Sequence, residues 1–244
     1  MENAQIIAKL ISDKVQHTSQ DFVDAVQAGA PPSVTRFGDG EAICILDLPG
    51  HTADAHPYSR DLGDAVFDSL QILCNTPNCW FGNWFWHPFG PLIHLWVEAV
   101  APGFEHWCPH EIFMHVNTQN PETVSAIYKG IRNLDRHKVL VRPRRIAGAD
   151  LFFKVDEAIE VPAINGWGVY QDILAQCRKV VRRDSVVLMA YGMPAKPLAA
   201  RMLWDIGATV LDLGSGVDPL IGIKSREGQW STDYLKQFYG DIMP

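Results

Sequence analysis

Apolar residues recur along this chain at two spacings, and the switch between them marks the elements. Near the N-terminus they fall at Ile6, Ile7, Leu10, Ile11 and Val15, then at Phe22, Val23 and Val26. That is helical spacing, and it predicts two helices over residues 3–28, broken near His17-Thr18-Ser19. Gly29 and Pro31-Pro32 stop the second. Residues 34–37 read as a strand, 42–48 as helix or strand, and 49–60 as a loop carrying Pro49, Gly50, His51 and Pro57. Residues 61–74 read as a helix with an acidic first turn. From residue 112 the period becomes regular. Strands are expected at 112–116, 138–141, 158–161, 185–190 and 209–213. Helices are expected at 121–134, 169–181 and 197–206, with a short helix or turn at 148–153, and residues 118–120 supply cap candidates for the first. Strands alternating with helices predict an α/β fold with a mostly parallel sheet flanked by helices. Loops that follow such strands gather at the carboxyl edge of the sheet, where ligands bind. Segments 36–41, 142–145, 191–196 and 214–218 belong to that edge.

Residues 75–110 break the pattern. They hold Trp80, Trp84, Trp86, Trp96 and Trp107, together with Phe81, Phe85, Phe89 and Phe104. Two readings stay open: a core layer, or an aromatic platform lining a cleft, since such rings offer flat apolar faces on which sugars and bases stack.

Composition changes the picture only in places. The chain has 244 residues and is 47% hydrophobic and 20% charged, ordinary for a globular protein. No apolar run reaches the ~18 residues of a membrane span. The start, Met-Glu-Asn-Ala-Gln-Ile-Ile, is not that of a secretion signal. Cys44, Cys74, Cys79, Cys108 and Cys177 are irregularly spaced, which fits reduced thiols and a cytoplasmic location better than a disulfide framework. A net charge of −7 argues against general nucleic-acid binding. Two basic clusters, Arg142/Arg144/Arg145 and Arg178/Lys179/Arg182/Arg183, keep a local anionic ligand open.

The candidate chemistry starts at Arg36-Phe37-Gly38-Asp39-Gly40-Glu41. Asp39 and Glu41 sit in a glycine turn at a strand end, where both carboxylates can aim into one cleft. Magnesium or manganese is held by one or two carboxylates plus substrate phosphates. Arg36 adds a planar fork suited to phosphate. The same residues also fit a solvated Asp-Gly turn. Tyr191-Gly-Met-Pro-Ala-Lys-Pro-Leu198 follows an apolar strand and precedes a helix. Gly192 allows a turn, the helix start favours a phosphate, and Lys196 contacts a diphosphate or solvent. His106, Cys108, His110, Glu111 and His115 lack the spacing of zinc sites. Val210-Leu-Asp-Leu-Gly-Ser-Gly216 looks like the opening motif of an S-adenosylmethionine methyltransferase. That motif should be followed by five or six strands, and 28 residues follow Gly216 here.

Taken together, these segments resemble the GT-D-type glycosyltransferases. The family's Arg-aromatic-Gly-Asp-Gly-Glu segment is matched by Arg36–Glu41. Its strand, Gly-rich turn, helix, strand and Asp-aliphatic-Gly series is matched by residues 186–198 and 210–214. Gly214–Pro219 fits the Gly-Ser-x-x-Asp-Pro of some relatives, and many members carry a histidine where this chain has Ser215. Segment 160–165 is also similar, and the likeness spans residues 34–45 and 138–226. It implies a single Rossmann-like domain over residues 1–244, with the aromatic-rich stretch 75–110 as an insertion. It implies a metal-dependent glycosyltransferase using a nucleoside-diphosphate sugar, a UDP-sugar such as UDP-glucose, with Mn2+ or Mg2+ on Asp39 and Glu41. Arg36, Gly38, Gly192 and Lys196 would then face the donor, and Asp218 is the candidate general base. The acceptor hydroxyl is open: a glycan, a protein, or a nucleic-acid base as in phage-type DNA modification. The rival readings are an S-adenosylmethionine-dependent methyltransferase and a non-catalytic nucleotide-binding module.

Overall fold

The computed structural model describes residues 16–51, 57–84 and 87–244. The helix expected before residue 16 lies outside them, as do Phe85 and Trp86.

Central strands carry the fold. β4 (Lys138–Pro143) and β6 (Val186–Met189) are buried along their whole length, as parallel strands covered on both faces must be. Their side chains alternate between two cores. Val187 and Met189 join Val139, Val141, Val210, Phe37 and Phe81 on one face, while Val186 and Leu188 join Leu140, Leu211 and Val34 on the other. With β1 (Ser33–Phe37), β2 (Cys79–Asn83), β3 (Trp107–Pro109), β5 (Glu157–Val161) and β7 (Thr209–Asp212) they form a seven-stranded sheet, in the order β3-β2-β1-β7-β6-β4-β5. Every pairing is parallel. The stretch 75–110 supplies β2 and β3 and therefore builds one wing of this sheet.

Helices cover both faces. α1 (Ser19–Gln27) is opened by a reciprocal cap between Thr18 and Asp21. α2 (Asp39–Ile45) follows β1 directly. α3 (Arg60–Cys74) is capped by the Ser59 side chain and buries Leu62, Val66, Leu70 and Leu73 at helical spacing. α4 (Gly90–Val100) links β2 to β3. α5 (Pro121–Asn133) starts on Pro121 and is capped by Asn120. α6 (Ala149–Phe153), α7 (Tyr170–Val180) and α8 (Ala195–Arg201, continued as one π-turn to Ile206) connect the later strands, and α9 (Thr232–Tyr239) closes the second core. Among the described residues no helix is long and apolar enough to cross a membrane. All five cysteines are buried free thiols.

The main departure is at residues 112–116, expected as a strand. The third strand is Trp107–Pro109 instead, and Glu111–Phe113 form a turn, with Val116 in a lone antiparallel bridge to Gln229. Ile112 and Phe113 are apolar because they are buried in the second core, where Tyr128 Oη donates to the Phe113 carbonyl at 2.9 Å. A short apolar run does not distinguish pairing from such packing.

Candidate functional site

β1 and β7 are neighbours, and the chain runs away from them in opposite directions across the sheet. Such a reversal leaves a crevice at the carboxyl ends of the two strands. A cavity of about 560 Å³ opens there. Its walls come from the β1–α2 junction, the Gly192–Lys196 turn before α8 and the 3₁₀ segment Gly214–Ile221, with Trp84, His110, Arg145 and Arg226 from neighbouring loops.

The floor is a buried charge network. Lys196 Nζ donates to Asp212 Oδ2 at 2.7 Å and lies 3.2 Å from Glu41 Oε1. Arg36 Nε donates to the Asp212 carbonyl at 2.7 Å and Nη1 to the His110 carbonyl at 3.3 Å, with Nη2 3.7 Å from Asp212 Oδ1. Two cations thus face two carboxylates, and burial of each charge is tolerated because the others are there. Burial alone would raise the Asp212 carboxyl, but Lys196 and Arg36 outweigh it and hold the group below its ordinary value. Burial likewise disfavours the Lys196 ammonium, and Asp212 and Glu41 more than restore it. Gly214 completes the arrangement: its φ is +51°, and a Cβ there would collide with the Arg36 guanidinium.

The two carboxylates of the β1–α2 junction are not equivalent. No sharp turn carries them. Gly38 caps α2 with extended backbone at φ −129°, neither Gly38 nor Gly40 has positive φ, and Asp39 and Glu41 occupy the first helical turn. Both glycines are closely approached: a Cβ would lie 3.3 Å from His110 Nε2 at Gly38 and 3.2 Å from Tyr58 Oη at Gly40, a tight fit for any larger residue. Glu41 Oε2 accepts the Gly38 N–H at 2.9 Å, so both its oxygens are engaged. Asp39 is exposed on the cavity and, among the described residues, its carboxylate has no partner.

Arg36, Gly38, Asp39, Glu41, Gly192, Lys196 and Asp218 all line this cavity, so one site gathers every residue singled out in the sequence for donor, metal or base. Gly192 turns the chain at φ +62°. Asp218 is 1% exposed, with Arg145 Nη1 at 3.5 Å, and its Oδ2 has no hydrogen bond. Burial raises its pKa, against partial relief from Ser225 and Arg145. Of the first basic cluster, Arg145 lines the cavity, whereas Arg142 Nε donates to Asp150 Oδ1 at 2.8 Å and its Nη1 lies 3.7 Å from Glu160.

Other lining residues were not singled out as site residues. Asp212 appeared in the methyltransferase look-alike and in the family's Asp-aliphatic-Gly, and an aspartate ending the apolar run Val210-Leu211 marks a charge at a strand's carboxyl end. His110 and Trp84 meet ring to ring at 4.1 Å, and the His110 Nδ1 is buried without a hydrogen bond. Burial, then Arg36, Lys196 and Arg226, push the His110 pKa well below its usual value, so the ring is neutral. Burial, with Glu41 and Asp39 adding, moves Tyr58 up to about 12. The two readings of the aromatic stretch divide by residue: Trp107 is in the core and Trp84 is in the cavity wall. His115 is a core histidine, bonded to the Gly216 carbonyl at 2.6 Å and to Tyr239 Oη at 2.7 Å.

No protein-family model and no curated protein matches the sequence. The fold does have solved counterparts. A structure of the highly conserved domain of unknown function 1792, described as having a distinct glycosyltransferase fold, superposes with a TM-score of 0.67 at 16% identity, covering 99% of this chain and 94% of that one. A selenomethionine-substituted structure of the same domain gives 0.67 at 17% identity, covering 96% and 98%. The chain therefore has the α/β fold of that domain over nearly its whole length. This agrees with the GT-D-type resemblance drawn from the motifs.

Proposed function

We propose that the protein is a metal-dependent glycosyltransferase that moves a sugar from a nucleoside diphosphate, a UDP-sugar by the family resemblance, to an acceptor hydroxyl. One observation carries this reading. In a glycosyltransferase-type fold, the Asp39–Glu41 carboxylates open on the cavity at the sheet's reversal point, where such folds bind nucleotides.

Among the described residues no three His, Cys, Asp or Glu side chains converge as a resident metal site. The donor set instead fits a cation that arrives with the diphosphate. Asp39, with its open carboxylate, and Glu41, whose Oε1 now faces Lys196, would hold it together with the donor's phosphates. When bound, Mn2+ or Mg2+ would supply positive charge against the leaving diphosphate. Arg36 and Lys196 hold the floor of the site in place around Asp212. Asp218 is the base: its Oδ2 takes the acceptor proton as the acceptor oxygen bonds to the anomeric carbon. The bond from that carbon to the phosphate oxygen breaks, and its electron pair leaves with the nucleoside diphosphate. A carboxyl group raised by burial is a stronger proton acceptor than a solvated one. Trp84 offers a ring face to the sugar or base.

A thermal-shift panel of nucleotide sugars, run with and without manganese, tests the reading. A bound donor raises stability by RT ln(1 + [L]/Kd), so millimolar ligand reports even weak affinity. A manganese-dependent shift with one donor class is expected. A shift with S-adenosylmethionine and none with any nucleotide sugar would replace this reading by the methyltransferase.

A further inference from the structure

The cavity holds four cations, and two of them are already spent. Arg36 and Lys196 face Asp212 and Glu41 and leave no net charge for a ligand. Arg226 and Arg145 are different. Arg226 Nε donates to Ser215 Oγ at 2.7 Å; among the described residues no carboxylate lies within ion-pair distance of it, though its charge reaches Asp218. Its backbone is fixed all the same. The buried Gln229 accepts the N–H groups of Ser225 at 2.8 Å and Arg226 at 2.9 Å, and donates to the Ser215 carbonyl at 3.0 Å. A buried amide thus clips the Arg226 loop to the 3₁₀ segment. Arg145 is half exposed and stands 3.5 Å from Asp218 Oδ2, an oxygen that receives no hydrogen bond. Four carboxylates line the cavity as well, so the whole is balanced; but on the side of the 3₁₀ segment two guanidinium groups share one carboxylate, Asp218, while the fourth carboxylate, Asp39, belongs to the α2 side.

From this imbalance we infer that Arg226 and Arg145 form a phosphate clamp, and that it takes the diphosphate of the donor. A planar guanidinium matches two phosphate oxygens at once, and the clipped loop presents one such fork without further ordering. The clamp complements Asp39 and its cation: carboxylate and metal on the α2 side, guanidinium groups on the 3₁₀ side. The inference rests on the nucleotide-sugar reading for its ligand, but its chemistry, binding of a phosphoryl group, is testable apart from it.

Calorimetric titration in EDTA, with no metal present, separates the two. The probes are uridine, UDP and inorganic pyrophosphate, against wild type, Arg226→Gln and Arg145→Gln, with melting curves to confirm folding. Arg226 is exposed, so its variant is expected to melt like wild type. UDP and pyrophosphate should bind Arg226→Gln about tenfold more weakly, the loss of one charge-assisted hydrogen bond, while uridine is unchanged. Pyrophosphate displaced by saturating UDP assigns the clamp to the donor. Pyrophosphate that binds beside UDP, and is still lost in Arg226→Gln, moves the clamp to a phosphorylated acceptor and corrects the inference on that point. UDP binding that both variants leave intact overturns the clamp and spares the nucleotide reading. Pyrophosphate binding in EDTA with no UDP binding even after manganese is added does the reverse; a wild type that binds neither in EDTA overturns the clamp, and one that still binds no UDP with manganese overturns the nucleotide reading as well.

Discussion

Replacing Lys196 by methionine should destabilise the protein sharply at neutral pH and progressively less in acid. The ammonium is buried between Asp212 at 2.7 Å and Glu41 at 3.2 Å. Methionine fills similar volume but leaves Asp212 facing only Arg36, whose nearest side-chain approach to it is 3.7 Å. Removing one partner of a buried pair costs about 3–5 kcal/mol, and the surviving arginine places this case at about 3 kcal/mol. For a chain of this length that is a fall of roughly 6–12 °C in melting temperature. The pH dependence follows from the shifts. Asp212 lies below its unfolded value of 3.8, so its contribution is present above that pH and is lost as pH falls through the folded value. Lys196 lies above 10.5, so its contribution is present below that pH and is lost as pH rises through the folded value. Wild type therefore keeps the whole network between about pH 4 and 10.5. In Lys196→Met, burial acts on Asp212 with less opposition, the carboxyl rises, and taking up a proton relieves the strain. Urea unfolding at pH 7 and pH 5 should show a deficit that shrinks at the lower pH, and adding Asp212→Asn should recover part of it. A variant within about 0.5 kcal/mol of wild type at pH 7, the range of an ordinary surface change, would refute the network as a determinant of stability.

Asp39→Ala should leave melting unchanged and remove manganese-dependent UDP binding, whereas Glu41→Ala should also cost about 1–2 kcal/mol because it frees the Gly38 amide and Lys196; paired melts and titrations check both. Burial lowers the His115 pKa from 6.5 to about 4, so the unfolded chain binds the extra proton first and stability falls by about 3 kcal/mol between those pH values. Urea unfolding of His115→Gln across that range should show a flatter slope than wild type. If a nucleic acid is the acceptor, Arg144→Ala should flatten the salt dependence of duplex binding by about one unit, read by filter binding, because Arg142 is committed to Asp150 and Glu160 and Arg145 to the donor clamp.

The parallel sheet was legible because β6 and the centre of β4, Val139–Val141, are apolar runs and because helical periods separate the later strands. The site was legible as a set of loops at one sheet edge, since strand ends at Phe37, Met189 and Asp212 bring their following segments together. What escaped was pairing. Nothing in the spacing of Arg36, Glu41, Lys196 and Asp212 says that they neutralise one another, since they are distant in sequence and meet only through the order of β1, β7 and β6. The Asp39–Glu41 turn was misread for a related reason: neither glycine has positive φ, and what lies close to them, His110 and Tyr58, arrives from elsewhere in the chain. The run at 112–116 was misread because burial under α5 and pairing in a sheet select the same residue types.

Manganese-dependent release of the nucleoside diphosphate is the most direct test of the central claim. Wild type and Asp39→Ala would be incubated with each member of a nucleotide-sugar panel, with and without manganese, and the freed diphosphate quantified by chromatography; slow donor hydrolysis needs no knowledge of the acceptor. Release is expected from one donor class, UDP-sugars, dependent on the metal and lost in Asp39→Ala. Binding of a donor with no release under any condition would make the protein a nucleotide-binding module. Release unchanged by removing either the metal or Asp39 would contradict the site described above.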